Sequence, residues 1–267
     1  MRMEEIFRGK KKIAIGMAHP LPLPGSCRYG GESMDVITSK LLDEVSYYDT
    51  FGYDGVILQN FSDIQVKDRS SFEAVACMTH LASMVKQTYP NLILGILMIW
   101  DGCASLAVAE AMGADFVRVE HVYTGAEVTP AGIIEGQCAE ILAMKKRLQS
   151  DMPIFADVYE PHAMAICPKP IEEAAHDTVY SCFADGIFLC GRTVDESSEL
   201  LRRVRTTVPD APVILGGGSR GDNVYNLLME FDGVCIGAWI KDGSLLNPIN
   251  PERAKLYMAE VERARNA

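Results

Sequence analysis

A short phrase that occurs four times along the chain restricts the possible folds more than any other feature. Each copy has an aspartate, usually followed by glycine, and then a run of residues that favour strands. Each copy also follows a segment with helical character, which is typical of a turn leading into a buried parallel strand. The four copies begin at Tyr53, Ala114, Ala184 and Phe231.

Eight predicted strands alternate with helical segments, and this pattern predicts a (β/α)₈ barrel. An open doubly wound sheet is the alternative, which the number of strands disfavours. A barrel of this kind takes about 250 residues, and the chain has 267 without a linker or a shift in composition. We therefore expect a single domain over residues 1–267. The predicted strands are 12–19, 55–60, 92–98, 116–120, 154–158, 186–190, 212–215 and 233–236.

The predicted helices have apolar residues at helical spacing. In the segment 131–149 these run from Ile134 to Leu148, and Thr129-Pro130 provides a cap and a first-turn proline. The first twelve residues form either a frayed arm or a short helix. The other predicted helices are 34–50, 71–88, 103–112, 171–182, 195–207, 222–230 and 251–265.

The charge balance disfavours two classes of partner. With 25 basic and 36 acidic residues the net charge is −11, which disfavours nucleic acid or an anionic membrane but still allows a local site for a small anion. The eight cysteines are scattered without a C-x-x-C pair, as expected for reduced thiols in a cytoplasmic protein. We see no signal sequence and no apolar run long enough to span a membrane.

A glycine-rich stretch follows the seventh predicted strand. This stretch forms a turn with almost no side chains, made of Gly216, Gly217, Gly218 and Ser219. It comes before a helix that Asp222 or Asn223 can cap. Such a turn exposes N–H groups that can hold a phosphate; the alternative is a tight turn without a ligand. The eighth strand also ends in small residues, and two such neighbouring loops form the phosphate site of many barrels. From this second loop we add Gly237, Ala238 and Lys241, although Lys241 could instead be a solvated surface lysine.

Ligands of such barrels meet the C-terminal ends of the strands, where several titratable residues are predicted to lie. A general acid and base need two groups that face one pocket with different pKa values. Glu120 and Asp157 fit this role, or each could be held by a neighbouring arginine or backbone amide. His19 and His162 could assist; the alternatives are that His19 only packs in its loop and that His162 is simply exposed in a loop. Asp101 is the fifth catalytic candidate, although a helix cap is the favoured interpretation.

No cofactor is predicted with certainty. A divalent metal could be held by His19, Glu120, Asp157 and His162, but no metal-binding motif such as H-E-x-x-H is present. A Schiff-base lysine is disfavoured because the predicted strands carry only Lys12, at a strand start. The proline-rich loop Pro20–Gly25 is a stiff wall or a lid.

Several motifs, spread over almost the whole chain, resemble those of the BtpA/SgcQ family. The resemblance implies a (β/α)₈ barrel. It also implies either a link to photosystem I biogenesis, as for cyanobacterial members, or a place in sugar uptake, where members carry labels such as nucleosidase. The motifs are Ile15–Ser26, Asn60–Asp63, Gly113–Val119, Gly132–Gly136, Phe155–Val158 with His162-Ala163, Ala184–Gly186 and Gly237–Gly243.

The chain departs from the family pattern near the predicted pocket. Gln59 stands where an acidic residue is common, Ile99-Trp100 replaces a more polar pair, Glu120 takes a position often held by asparagine, and Glu160-Pro161 replaces a pair containing lysine. These departures indicate a subgroup with a different substrate.

Two functional hypotheses follow. The first is an enzyme, acting as an isomerase, a lyase or an N-glycosidic hydrolase on a small phosphorylated sugar or nucleoside. The second is a non-enzymatic assembly or stability factor, for which we expect an apolar patch on the outer face. In either case a homo-oligomer is expected, because barrels of this kind commonly associate.

Overall fold

The computed structural model describes residues 3–64, 66, 68–159 and 161–267. Eight parallel strands close into a barrel with helices outside it, so the predicted (β/α)₈ barrel is confirmed. The strands are β1 (Ile13–Ala18), β2 (Gly55–Gln59), β3 (Ile93–Leu97), β4 (Phe116–Val119), β5 (Ala126–Thr129), β6 (Gly132–Glu135), β7 (Ile154–Tyr159), β8 (Met164–Ala165), β9 (Gly186–Leu189), β10 (Val213–Leu215) and β11 (Gly233–Ile236). The barrel order is β1-β11-β10-β9-β7-β4-β3-β2, and β6-β5-β8 form a separate antiparallel sheet.

Most helices lie within a few residues of their predicted bounds. No helix in the described ranges is long and apolar enough to cross a membrane. The helices are α1 (Met3–Ile6), α2 (Met34–Thr50), α3 (Phe72–Thr88), α4 (Gly102–Met112), α5 (Cys138–Leu148), α6 (Ile171–His176), α7 (Val194–Val204), α8 (Val224–Glu230) and α9 (Pro251–Arg265).

The aspartate of the recurring phrase sets the register between neighbouring strands. Its carboxylate accepts a hydrogen bond from a backbone amide of the preceding barrel strand, and its own amide donates to the carbonyl of that same residue. Each aspartate therefore holds the start of its strand beside one particular residue. The four carboxylate bonds join Asp54 to Ala14 at 2.7 Å, Asp115 to Leu94 at 2.8 Å, Asp185 to Ile154 at 2.9 Å and Asp232 to Val213 at 2.8 Å.

The prediction of one helix over 131–149 is wrong. Residues 126–135 form the hairpin of β5 and β6, and α5 begins only at Cys138. Thr129 is not a helix cap: its hydroxyl donates to the Gly132 carbonyl and accepts from the Ala131 amide, which closes the hairpin turn. Gly132 has a φ of +116°, a conformation that glycine adopts easily and that ends any helical path there.

The first residues close the end of the barrel at which the parallel strands begin. After the single turn of α1, the Phe7 side chain is fully buried among the interior residues of the strands. Its ring centroid lies 5.9 Å from that of Phe116 and 6.3 Å from that of Phe155. Of the two predicted alternatives the short helix is correct, and the residue after it is part of the core.

Candidate functional site

A cavity of about 1320 Å³ opens at the C-terminal end of the barrel. The ends of β1, β2, β4, β9, β10 and β11 contribute to its lining. Nine of the predicted site residues line it, whereas Asp157, Asp101 and Lys241 do not. The nine are His19, Glu120, His162, Gly216, Gly217, Gly218, Ser219, Gly237 and Ala238.

A buried arginine in the cavity wall holds Asp157. Arg118 donates from Nε to Oδ1 at 2.9 Å and from Nη2 to Oδ2 at 2.8 Å. Burial acts to lower the pKa of Arg118, but the charge and hydrogen bonds of Asp157 together with the charge of Glu120 act in the opposite direction, and the pKa of Arg118 is raised. Because Arg118 binds both oxygens of Asp157, the geometry favours the alternative that a neighbouring arginine holds this carboxylate as a buried counter-ion, and its role in moving protons stays a prediction.

Of the predicted acidic catalytic residues, Glu120 is the one that lines the cavity. Its side chain is 16% exposed, and Oε1 lies 3.8 Å from Nη2 of Arg118. Burial raises the pKa of Glu120; Arg118, His121 and His162 oppose this shift, and Asp157 adds to it. Glu120 therefore keeps its proton to a higher pH than an exposed glutamate, as a general acid requires.

We expect the raised pKa of Glu120 to appear in the pH dependence of stability. The unfolded chain releases this proton near pH 4.5, the ordinary value, whereas the folded protein still binds it. Wild type should therefore lose stability relative to Glu120→Gln as the pH rises from 4.5 through the raised pKa. Urea unfolding of both proteins across this range measures the difference, and a difference that does not change with pH would contradict the shift.

His19 is linked to Glu120 through Gln59. The amide nitrogen of Gln59 lies 3.2 Å from Oε2 of Glu120, and its Oε1 lies 3.1 Å from Nε2 of His19. Burial, and then the charge of Lys241, lower the pKa of His19 to about 3. His19 is therefore neutral at physiological pH and acts here as a hydrogen-bonding group rather than as a base.

Lys241 is neither a surface lysine nor part of the cavity wall. Its side chain is fully buried and donates to Oε1 of Glu44 at 2.7 Å. Its Nζ also lies 3.1 Å from Nδ1 of His19. The prediction that Lys241 contacts a phosphate is corrected, because its ammonium group is already held by Glu44 and His19.

Asp101 caps α4, as the favoured interpretation predicted. Its Oδ1 accepts from the Ala104 amide at 2.9 Å, and its Oδ2 accepts from the Ser70 amide at 2.7 Å. Asp101 is buried and has no place in the cavity lining, so its candidacy as a catalytic residue is withdrawn.

The two glycine loops present free backbone amides to the cavity. In the described part of the chain, no hydrogen bond involves the amides of Gly217, Gly218, Ser219, Gly237 and Ala238. The Gly216 amide donates to the Leu189 carbonyl at 2.9 Å and is not available. Ser219 contributes only its amide, because its hydroxyl lies 2.5 Å from that of Tyr257. Five N–H groups on neighbouring loops form a suitable anion site.

The proline-rich loop packs against the turn after β2, and none of residues 20–25 lines the cavity. Leu23 is fully buried, and its amide donates to Oδ1 of Asp63 at 2.8 Å. The Ser62 hydroxyl donates to the Pro20 carbonyl at 2.8 Å. These contacts join the loop to the turn after β2, and its role as a wall or a lid stays a prediction.

The four proposed metal ligands are not brought together. Within the described ranges, no group of three or more His, Cys, Asp or Glu side chains is arranged to hold a metal ion. Asp157 binds Arg118, while His162 is exposed at the cavity rim. Glu160, one of the residues that depart from the family pattern, lies outside the described residues.

The sequence-based prediction omitted many of the polar residues that line the cavity, among them Gln59, Arg118 and Arg192. Strand periodicity could have identified Arg118, since it is two residues from Phe116 and two from Glu120 and so shares their inward face. Arg192 is exposed, and its guanidinium makes no ion pair with the described acidic residues. No local pattern marks it.

Solved structures with the same fold include several enzymes. The N-(5′-phosphoribosyl)anthranilate isomerase of Pyrococcus furiosus superposes with a TM-score of 0.55 at 13% identity, covering 94% of this chain and 99% of that one. A ligand-free tryptophan synthase of M. tuberculosis gives a TM-score of 0.62 at 12% identity, covering 97% and 98%. At these identities the likeness concerns the fold alone.

Relatives found by sequence share a larger fraction of identical residues with this chain. An uncharacterised protein of Pyrococcus furiosus is 36% identical over 93% of this chain and 94% of its own length. The photosystem I biogenesis protein BtpA of Synechocystis is 32% identical over 91% and 86%, and the sgc region protein SgcQ of Escherichia coli is 26% identical over 96% and 97%. The family model described as "BtpA family" matches residues 10–263. The chain therefore belongs to the BtpA family.

Proposed function

We propose that the protein is an enzyme that acts on a phosphorylated sugar or nucleoside by acid/base chemistry. One observation carries this proposal: the two glycine loops, whose amides are free in the described part of the chain, and the carboxyl of Glu120 line the same cavity. In the barrel order, β4 lies three strands from β10 and four from β11. An anion held by the loops would therefore place the rest of the substrate across the cavity, over Glu120.

The phosphate would bind the amides of Gly217–Ser219 and Gly237-Ala238. Arg192 at the rim would add a positive charge; its guanidinium makes no ion pair with a described acidic side chain, and the Glu196 carboxylate accepts from its backbone amide instead. A planar guanidinium suits this role because it can donate two parallel hydrogen bonds to phosphate oxygens. The likeness in fold to a phosphoribosylanthranilate isomerase is consistent with a phosphorylated sugar as ligand.

Glu120 would donate or accept the proton in the chemical step. Burial raises the pKa of its carboxyl, so it holds a proton to a higher pH than an exposed glutamate, which suits a general acid. His162 also lines the cavity, and its charge acts on Glu120, so it is placed to take part. Sugar isomerisation, C–C or C–N lyase cleavage and hydrolysis of an N-glycosidic bond all need such a proton transfer, and we retain these as the reaction classes.

We expect a phosphorylated ligand to raise the melting temperature where its unphosphorylated counterpart does not. A ligand at a hundred times its Kd adds about 2.7 kcal/mol of stability, or about 5–10 °C for a chain of this size. The screen pairs phosphorylated sugars and nucleosides with their unphosphorylated forms, with and without Mg²⁺, Mn²⁺ or Zn²⁺. The absence of a shift with every phosphate would count against the anion site.

A substitution in the loop provides the matched control. A Cβ at Gly217 would meet only the Cys190 sulfur, at 3.2 Å, so Gly217→Ala should fold and still bind phosphate. Gly217→Asp places a carboxylate beside the same amides and should remove the shift by charge repulsion. Equal shifts in both variants would show that the phosphate binds elsewhere.

A second candidate, the non-enzymatic assembly factor, has one observation in its favour. The outer face of the small sheet carries Ile133, Val128 and Met164 side by side across its three strands, and all three are exposed. A row of this kind is typical of a protein interface. This candidate predicts no selective stabilisation by phosphorylated ligands, so the same screen separates the two. Self-association remains a prediction.

A further inference from the structure

A continuous series of hydrogen bonds runs from the cavity to an ion pair whose lysine is fully buried and whose glutamate is 15% exposed. It joins Glu120, Gln59, His19, Lys241 and Glu44, which lie on or just after four different barrel strands and on α2. The Glu120–Gln59, Gln59–His19, His19–Lys241 and Lys241–Glu44 distances are 3.2, 3.1, 3.1 and 2.7 Å. Only Glu120, Gln59 and His19 line the cavity.

The chemistry of the buried end sets the direction of every bond in this series. A lysine ammonium group only donates, so Lys241 donates to Nδ1 of His19 and that nitrogen carries no proton. The proton of the neutral ring is therefore on Nε2, which donates to Oε1 of Gln59. The amide of Gln59 must then turn its NH₂ group towards Glu120.

Glu44 accepts hydrogen bonds from both Lys241 and His19. The oxygen that accepts from Lys241 also accepts from the backbone amide of His19, at 3.0 Å. A carboxylate so placed neutralises a fully buried ammonium group that would otherwise be very costly. Lys241 also approaches the Leu245 carbonyl, at 3.3 Å, which further restricts its position.

We propose that Lys241 and Glu44 form a positioning pair that fixes the Nε2–H tautomer of His19 and thereby aims the amide of Gln59 at the Glu120 carboxyl. Neither residue touches the substrate. The inference rests on the proposed function only in taking Glu120 as the group that exchanges protons with the substrate. It gives His19 a structural task in place of the acid/base role expected from sequence.

The test is a measurement of the His19 tautomer in the free protein. Long-range ¹H–¹⁵N correlation spectra of the imidazole rings report which nitrogen is protonated, and the His19 signals are assigned by their loss in His19→Gln. In wild type we expect a single form with the proton on Nε2 throughout the neutral range. In Lys241→Met, which keeps the side-chain length but loses the donor, we expect the Nδ1–H form to become populated.

The carboxyl signal of Glu120, assigned with Glu120→Gln, provides the second readout. Its titration midpoint should move in Lys241→Met, because the amide of Gln59 is no longer held in one orientation. Lys86→Met is the matched control: it removes a partly buried lysine, whose Nζ lies 2.8 Å from Asp115, from the outside of the barrel. This control should leave both the tautomer and the midpoint unchanged.

Two results would overturn the proposal. One is a proton on Nδ1 of His19 in wild type, which decides the matter even if Lys241→Met does not fold. The other is a folded Lys241→Met protein with an unchanged tautomer and an unchanged Glu120 midpoint. Both are read without a ligand, so a failed phosphate screen would refute the proposed substrate class without affecting this result.

Discussion

Replacing Asp157 with asparagine should lower the free energy of unfolding by about 3–5 kcal/mol, because it leaves the buried Arg118 without its counter-ion. The side chains of Arg118 and Asp157 are only 4% and 2% exposed. Little water therefore reaches the guanidinium to replace the lost carboxylate, and the neutral amide cannot compensate the charge. Urea unfolding at neutral pH, followed by circular dichroism, measures the loss.

The chain provides a matched control for this substitution. Arg220 and Asp222 form the same two-bond pair, with distances of 2.9 and 3.2 Å, but both side chains are more than half exposed. Asp222→Asn should have a much smaller effect, since exposed ion pairs contribute little. If Asp157→Asn were no more destabilising than Asp222→Asn, the buried pair would not be compensating Arg118.

Truncating Phe7 to alanine should also cost about 3–5 kcal/mol, the usual range for a large buried aromatic side chain. The Phe7 side chain is fully buried and packs on Phe116 and Phe155 at the end of the barrel where the strands begin. Alanine would leave a cavity that the barrel strands, held in register by the four aspartates, could not easily fill. A shift of the urea midpoint with an unchanged slope would report this loss.

Phe72→Ala is the control for Phe7→Ala, because that phenylalanine is 94% exposed at the start of α3. It removes the same atoms without opening a cavity, and we expect little change in stability. Similar unfolding midpoints for Phe7→Ala and wild type would show that the barrel does not need the Phe7 side chain for its stability.

Local patterns were sufficient to predict the barrel itself. The positions of a strand and of the helix that follows it depend on the turn residues between them and on the periodicity of apolar side chains. Both are properties of short stretches of sequence. The recurring aspartate is the clearest case, since each copy bonds one residue of the preceding strand. The position of the two glycine loops follows for the same reason, because strand ends that carry small residues can be identified one at a time.

The hairpin of β5 and β6 shows where local patterns are insufficient. Apolar residues of the segment 131–149 have helical spacing, but Ile134 instead packs with Ile99, Trp100 and Val122 beside the barrel. Helix and strand periodicity are hard to tell apart over so few residues. Contacts with residues more than thirty positions earlier decided between them.

Sequence alone determined the barrel, the order of its elements and the loops that line its mouth, because these depend on interactions between near neighbours in the chain. Only the tertiary structure decided what each charged residue does. Arg118 and Asp157 are 39 positions apart, and His19 and Lys241 are 222 apart. Whether a buried carboxylate is a counter-ion or a proton donor depends on such distant partners, because burial removes the water that would otherwise solvate its charge.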